Sequence, residues 1–210
     1  MIYIIAAFAA AYVIGSFPSA YVAGKLFKGI DIRKHGSGNV GATNVVRVVG
    51  KVPGIIVFII DLLKGTFCVI VIPSVLIRVF PAVNGKYSLV CILLGAIVVS
   101  GHIWTVFLRF KGGKGVATTA GVMAGLAPEI LGMGLLIWII VFFLWRYVSL
   151  ASILAAVSLP ILAIFLGKSL EFIIFTSMLC VVGLFGHRGN IRRLLQGTEA
   201  KVSKTEKSQH

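Results

Sequence analysis

Residues 36–47, GSGNVGATNVVR, gather the kinds of group that bind anions. Gly36, Gly38 and Gly41 lack a Cβ, so the backbone there can reach positive φ, approach a ligand closely and turn successive amides into an anion-binding nest. Ser37, Asn39, Thr43 and Asn44 add side-chain hydrogen-bonding groups. Arg47 adds a planar fork of donors matched to phosphate or carboxylate. An ordinary polar surface loop has a similar composition; what sets this one apart is that two more such islands recur, separated by apolar runs.

The second island is residues 101–119, GHIWTVFLRFKGGKGVATT, where His102, Arg109, Lys111 and Lys114 frame Gly112, Gly113 and Gly115. A glycine-rich turn with lysines, leading into a helix start, surrounds an anion with backbone amides, a dipole end and ammonium groups. It is not a Walker A loop: Leu108 stands where the first glycine belongs, and Gly115 where Ser or Thr should follow Lys114. Nucleotide hydrolysis is therefore not expected. The third island, residues 187–199, holds His187, Arg188, Asn190, Arg192, Arg193 and Glu199. A basic helix end meeting anionic lipid head groups explains its arginines as well as a site does. One further pair stands out. Asp61 and Lys64 lie three apart inside an apolar run, on one helix face, where they can neutralise one another. Ionisable groups at membrane depth mark function by default, with a structural ion pair bracing the first island as the alternative.

The elements that must position these residues follow from composition. With 59% hydrophobic residues, 12% charged and a mean hydropathy of +1.05, the chain is far from a soluble domain, which carries about 25% charge. It reads as an all-α polytopic membrane protein whose chemistry sits on loops and helix ends. A net charge of +14 would suggest nucleic acid in a soluble protein, but here the basic residues flank apolar spans, so anionic ligands and membrane orientation account for them instead. Cys68, Cys91 and Cys180 each lie within an apolar run, without metal-binding or disulfide spacing, and read as small hydrophobes. The first apolar run lacks the basic start and cleavage site of a secretory signal and is expected to be retained.

Seven spans are expected at residues 2–24, 53–80, 87–108, 116–128, 130–145, 148–166 and 170–186, with Pro18 placed to kink the end of the first. With the three islands on one side, sixteen of the twenty basic residues share that side, while Arg78, Lys86 and Lys168 lie opposite and Lys64 is intramembrane. The positive-inside rule then puts the islands and C-terminus in the cytoplasm and the N-terminus outside. Residues 1–200 are expected to form a single domain, and the polar tail 201–210 to be disordered.

At this point a family resemblance becomes specific. SGNVGATNVVR, GHIWTVFLRFKGGKGVAT and HRGNIRRLLQGTE closely resemble, in order and spacing, the three motifs of the bacterial acyl-phosphate glycerol-3-phosphate acyltransferases, the PlsY family. The resemblance covers nearly the whole chain. It implies a seven-helix enzyme of the bacterial inner membrane that transfers a fatty acyl group from acyl phosphate to the 1-hydroxyl of glycerol 3-phosphate, giving lysophosphatidate and phosphate for phospholipid synthesis. It further implies a catalytic centre of Ser37, Arg47, Lys114, His187 and Asn190. Gly38, Asn39, Gly41, Thr43, Asn44, His102, Lys111, Gly112, Gly113, Gly115 and Thr118 would line the substrates, and Asp61, Lys64 and Glu199 would support them. Asp61 and Lys64 match a DxxKG element of the family. Two positions depart from its pattern: Thr105 stands in place of a proline and Gly189 in place of an acidic residue, changes expected to alter local geometry more than chemistry.

Acyl phosphate is already activated, so the residues need only juxtapose two anions and steady developing charge. No metal or cofactor is expected, nor nucleic acid or an obligatory protein partner; the partners are the two substrates and membrane lipid. A nucleophilic Ser37 activated by His102 or His187 is the alternative within enzymes, though Ser37 is not in a GxSxG elbow and no acidic partner for either histidine is evident. His102 could also serve as a general base, or merely cap its span. An anion transporter is the rival class, with a lipid-binding scaffold behind it; against transport, the polar residues collect on one side rather than at the bilayer midplane.

Overall fold

The computed structural model describes residues 1–202, and every regular element among them is helical. The chain divides into two compact units, Met1–Pro128 and Glu129–His210.

The first unit opens with α1 (Ile2–Ser16) and α2 (Ser19–Lys28). The break between them comes from Pro18, which lacks an amide hydrogen and whose ring clashes with the preceding turn. In a membrane segment the carbonyls so freed need new donors. The Ile14 carbonyl takes the Phe17 amide, and the Ser16 carbonyl takes the Thr105 hydroxyl at 2.5 Å. The Phe17 carbonyl takes the Ser19 amide at 3.0 Å and the Lys64 ammonium at 3.4 Å. Residues 29–41 then run as a loop with one short 3₁₀ turn, Ile32–Lys34, into α3 (Ala42–Val48), whose last turn is capped by Lys28 Nζ on the Val48 carbonyl.

The central element is α4 (Lys51–Val79), against which α1, α2, α3, α5 (Tyr87–Ile103) and α6 (Val116–Leu126) all pack. Small residues allow its close crossing with α6. A Cβ on Gly65 would strike the Thr118 carbonyl, and one on Gly121 the Leu62 carbonyl. Such backbone approach is how helices associate where lipid offers no hydrophobic drive. Ala20, Ala23, Ile32, Val40, Val45, Val57 and Leu108 form a buried cluster that fixes the residue 29–41 loop onto α2 and α4.

The second unit comprises α7 (Pro128–Trp145, its first residue in the preceding unit), α8 (Val148–Phe165), α9 (Leu170–Gly186) and α10 (Arg188–Leu195). Trp138 Nε1 donates to Ser152 Oγ between α7 and α8 at 3.1 Å, and Lys168 pairs with Glu129. Lys201 lies 5.3 Å from the Tyr147 ring and the Val202 amide donates to the Arg146 carbonyl. The rest of the expected disordered tail, residues 203–210, lies outside the described residues.

By length and composition five helical stretches suit a membrane crossing: Ile2–Lys28, Lys51–Val79, Pro81–Leu108, Pro128–Trp145 and Val148–Phe165. Leu170–Gly186 with Arg188–Leu195, bent by 60°, makes a sixth if the pair is one span. This count by length and composition does not confirm the seven expected from the sequence. Residues 116–128 supply only the eleven-residue α6, whose rise of about 16 Å falls short of a ~30 Å core.

Candidate active site

The first island is shaped from inside by Asn44, which is 1% exposed. Its Oδ1 accepts the Ser37 amide at 2.9 Å, and its Nδ2 points at the carbonyls of Ile32, His35 and Asn39 at 3.3, 3.0 and 3.1 Å. Gly36 has φ 60° and passes so close that a Cβ would strike Asn44 Oδ1 and Val48. Only glycine tolerates both the left-handed backbone and that contact. Ser37 is left exposed on a loop whose polar interior is satisfied, and Thr43 and Arg47 are exposed on α3 beside it. Asn39, Gly38 and Gly41 are half-buried. Among the described residues no ion pair holds Arg47. At the loop's entry Arg33 pairs with Asp31 at 2.6 Å, and its hydrogen bonds hold the Asp31 carboxyl down at about 2.

The second island folds back on the end of α5. The Gly112 amide donates to the Ile103 carbonyl at 2.9 Å and the Gly113 amide to the His102 carbonyl at 3.2 Å. Arg109 and Phe110 both have positive φ, 54° and 62°, an arrangement that L-residues seldom adopt and that turns the chain sharply before the glycines. Gly115, at φ 79°, then starts α6. The first amides of α6 have no intrahelical acceptor, and with half-buried Lys114 and exposed Lys111 they offer an anion a positive end. Thr118, expected among the substrate-binding residues, is fully buried against α4, with its hydroxyl unpartnered among the described residues.

Behind both islands sits a buried polar cluster. Lys64 Nζ lies 2.8 Å from Asp61 Oδ1 and 2.8 Å from His102 Nδ1, and Ser19 Oγ donates to the same Asp61 oxygen at 2.8 Å. The pair read from an i, i+3 spacing is therefore formed, and its partners are Ser19, the Phe17 carbonyl and His102 of the second island. The expectation that no acidic group neighbours His102 is corrected: Asp61 Oδ1 lies 3.6 Å from its Nδ1, beyond hydrogen-bond range. No hydrogen bond links Ser37 to His102 among the described residues, so the structure holds no preformed serine–histidine dyad in this unit.

Comparison with known proteins fits this arrangement. Residues 5–197 match the family model described as glycerol-3-phosphate acyltransferase. The chain belongs to that family. Glycerol-3-phosphate acyltransferase 2 of Moorella thermoacetica is 43% identical over 94% of this chain and 97% of its own, and the Desulforamulus reducens enzyme is 44% identical over 84% of each. The glycerol 3-phosphate form of PlsY, an integral membrane glycerol 3-phosphate acyltransferase, superposes with a TM-score of 0.85 at 38% identity, covering 95% of this chain and 96% of that one. Its lysophosphatidic acid form gives 0.83 at 37%. The protein is thus a multi-pass membrane acyltransferase.

In the second unit of this acyltransferase, His187 is 3% exposed and its Nδ1 donates to the Gly183 carbonyl at 2.8 Å. Glu199 gathers the third island: Oε1 accepts from Asn190 Nδ2 at 2.6 Å and Ser149 Oγ at 2.7 Å, Oε2 from Arg193 Nε at 2.7 Å. Burial pushes the Glu199 carboxyl up, but the three donors outweigh it and hold it below the usual carboxylate range. Sequence reasoning missed Ser19 and Ser149, lone serines at helix starts far in the chain from the carboxylates they serve. Gly189 leaves open space, with Arg193 Nη1 3.7 Å from where a Cβ would stand.

Proposed function

We propose that this acyltransferase takes its acyl group from acyl phosphate, and transfers it to the sn-1 hydroxyl of glycerol 3-phosphate to give lysophosphatidate and inorganic phosphate, the first acylation of bacterial phospholipid synthesis. The observation that carries the reading is the pairing of an exposed arginine, Arg47, with a glycine-rich turn that opens a helix, Gly112 to Gly115 with Lys114, in a chain so similar to an acyltransferase with a glycerol 3-phosphate form. Two anion-binding devices suit two phosphorylated substrates.

The chemistry asks little beyond position. The glycerol 3-phosphate oxygen attacks the acyl carbonyl carbon, the bond from that carbon to the phosphate oxygen breaks, and phosphate leaves with the electron pair. The hydroxyl proton passes to a phosphate oxygen. Arg47 and Lys114 hold and neutralise the phosphates, and Ser37, its amide fixed by Asn44, presents a hydroxyl to the reacting groups. Transfer is direct, without an acyl-enzyme and without a metal. The chain works as a single catalytic domain over residues 1–200. The three islands face the cytoplasm of the bacterial inner membrane and the N-terminus lies outside, an orientation supported by the bias of basic residues and one that counts α6 as a crossing.

The test is phosphate release from palmitoyl phosphate by purified protein, with and without glycerol 3-phosphate, beside palmitoyl-CoA as competing donor. Release that depends on glycerol 3-phosphate and is lost in Ser37→Ala and Arg47→Ala supports the reading. A burst of phosphate without glycerol 3-phosphate would overturn direct transfer, and turnover with palmitoyl-CoA alone would overturn the donor.

A further inference from the structure

The buried cluster of Asp61, Lys64 and His102 determines more than a neutral charge balance. An ammonium group has three hydrogens and no acceptor. Lys64 Nζ has three acceptors around it: Asp61 Oδ1 at 2.8 Å, His102 Nδ1 at 2.8 Å and the Phe17 carbonyl at 3.4 Å. With Lys64 donating to it, Nδ1 of His102 can only accept. The competing arrangement, an Nδ1–H donated to Asp61, would have to span 3.6 Å, too far for a hydrogen bond. Asp61 is instead occupied at Oδ1 by Lys64 and by Ser19 Oγ. The ring proton therefore sits on Nε2.

That edge of the ring faces the second island. A Cβ on Gly113 would run into Nε2 and Cε1 of His102 on one side and the Val40 carbonyl of the first island on the other. His102, Ser16, Thr105, Gly112 and Gly113 also line a small cavity of about 10 Å³, room for a single water. The Ser16 hydroxyl is fully buried there and has no partner among the described residues. An Nε2–H donor and an unsatisfied hydroxyl on the walls of one water-sized space are what such a water needs.

We infer that Lys64 and Asp61 lock His102 in the Nε2–H tautomer, and that this proton, through a water shared with Ser16, holds Gly112 and Gly113 in the shape that receives the glycerol phosphate. His102 is thus a positioning residue, and cannot serve as the base: its one lone pair is committed to Lys64 and its other nitrogen already carries hydrogen. The inference about the turn rests on the proposed binding of glycerol 3-phosphate there; the tautomer does not.

The experiment has a spectroscopic arm and a kinetic one. In protein labelled with ¹⁵N-histidine, long-range ¹H–¹⁵N correlations, assigned by difference against His102→Gln, report which nitrogen carries hydrogen. The expected wild-type result at neutral pH is a protonated Nε2 and an unprotonated Nδ1, with Lys64→Met collapsing this into a tautomer mixture. A protonated Nδ1 in the wild type overturns the assignment, and this readout needs no turnover. Kinetically, His102→Gln places an amide donor near the Nε2 position without basicity, whereas His102→Asn reaches only as far as Nδ1. Glutamine should keep kcat and the KM for glycerol 3-phosphate within about threefold, and asparagine should raise that KM about tenfold or more with kcat nearly kept. A glutamine variant whose kcat collapses at unchanged KM would make His102 a base and overturn the proposal. If wild-type protein fails to turn over palmitoyl phosphate with glycerol 3-phosphate, the proposed function falls while the tautomer stands or falls on its spectrum.

Discussion

Asn44 Oδ1 accepts the backbone amide of Ser37 at 2.9 Å, across seven residues of chain. The same amide side chain shares its two hydrogens among three carbonyls of the residue 29–41 loop. A loop of glycines and small polar residues has no ladder of its own to hold it, so one buried side chain does the holding. The exposed Ser37 owes the position of its backbone to it.

Replacing Asn44 therefore separates two physical effects. Asn44→Ala removes the hydrogen bonds and leaves buried loop groups unsatisfied, at about 1–3 kcal/mol. Asn44→Asp keeps the shape and the acceptor for Ser37, but turns a carboxylate oxygen toward three carbonyls, an unpaired buried charge that costs about 3–5 kcal/mol. Thermal unfolding in detergent and kcat/KM should both fall in the order wild type, Ala, Asp. An aspartate variant as stable as wild type would show that the side chain does not hold the loop.

Glycine-to-alanine changes should divide by what the new methyl meets. At Gly121 it meets the Leu62 carbonyl of the facing helix, so α4 and α6 must separate, and Gly121→Ala should destabilise by about 1–3 kcal/mol, as overpacking does. At Gly132, inside α7, nothing lies within 4 Å, and Gly132→Ala should stabilise by about 0.5–1 kcal/mol through chain entropy. The measurement is the midpoint of unfolding for the two variants in one detergent. Equal shifts of the same sign would refute the close crossing.

The three islands were legible because a chain this apolar exposes its polar and glycine-rich stretches as exceptions. The Asp61–Lys64 pair was legible because i, i+3 spacing is local geometry. What it braces was not: His102 reaches it only once α4 and α5 pack, and no spacing encodes that. Ser149 is hidden from the sequence for the same reason. The end of the fourth expected span was not legible, because hydropathy averages composition without locating helix ends. Residues 116–128 carry no charge, yet α6 stops at Leu126, where Ala127 leaves helical geometry and Pro128 starts α7.

Glu199 gives a pH dependence with a defined sign. Its folded carboxyl lies below the ordinary 4.5, so the ionised form favours the native state. That contribution is fully present above the unfolded value and is lost as pH falls below about 4.5 and through the lower folded one. Glu199→Gln should lower the unfolding midpoint at pH 7, and the gap to wild type should close as pH drops through that window. A gap that persists at low pH, with Ser149 and Asn190 still in place, would mean that the carboxylate's charge contributes nothing.

Thr105, which the motif resemblance sets against a proline, allows a sharper test. Its backbone, at φ −65° and ψ 126°, is already what a proline ring imposes, and among the described residues its amide makes no hydrogen bond to protein backbone. The preceding Trp104, at ψ 57°, lies outside the α region that a following ring disfavours. What threonine adds is its hydroxyl, which donates to the Ser16 carbonyl at the broken end of α1 and accepts the Phe107 amide at 3.3 Å. Thr105→Val loses both bonds with no gain and should cost about 1–3 kcal/mol, because a buried carbonyl is left unpaired. Thr105→Pro loses the same bonds but recovers about 0.4–1 kcal/mol from a stiffer unfolded chain. Proline should therefore be the better tolerated of the two, by unfolding midpoint and by acyltransferase rate. Valine outperforming proline would mean that the residue's backbone is strained by the ring after all, and that the departure from the resembled motif rests on conformation and not on the hydroxyl.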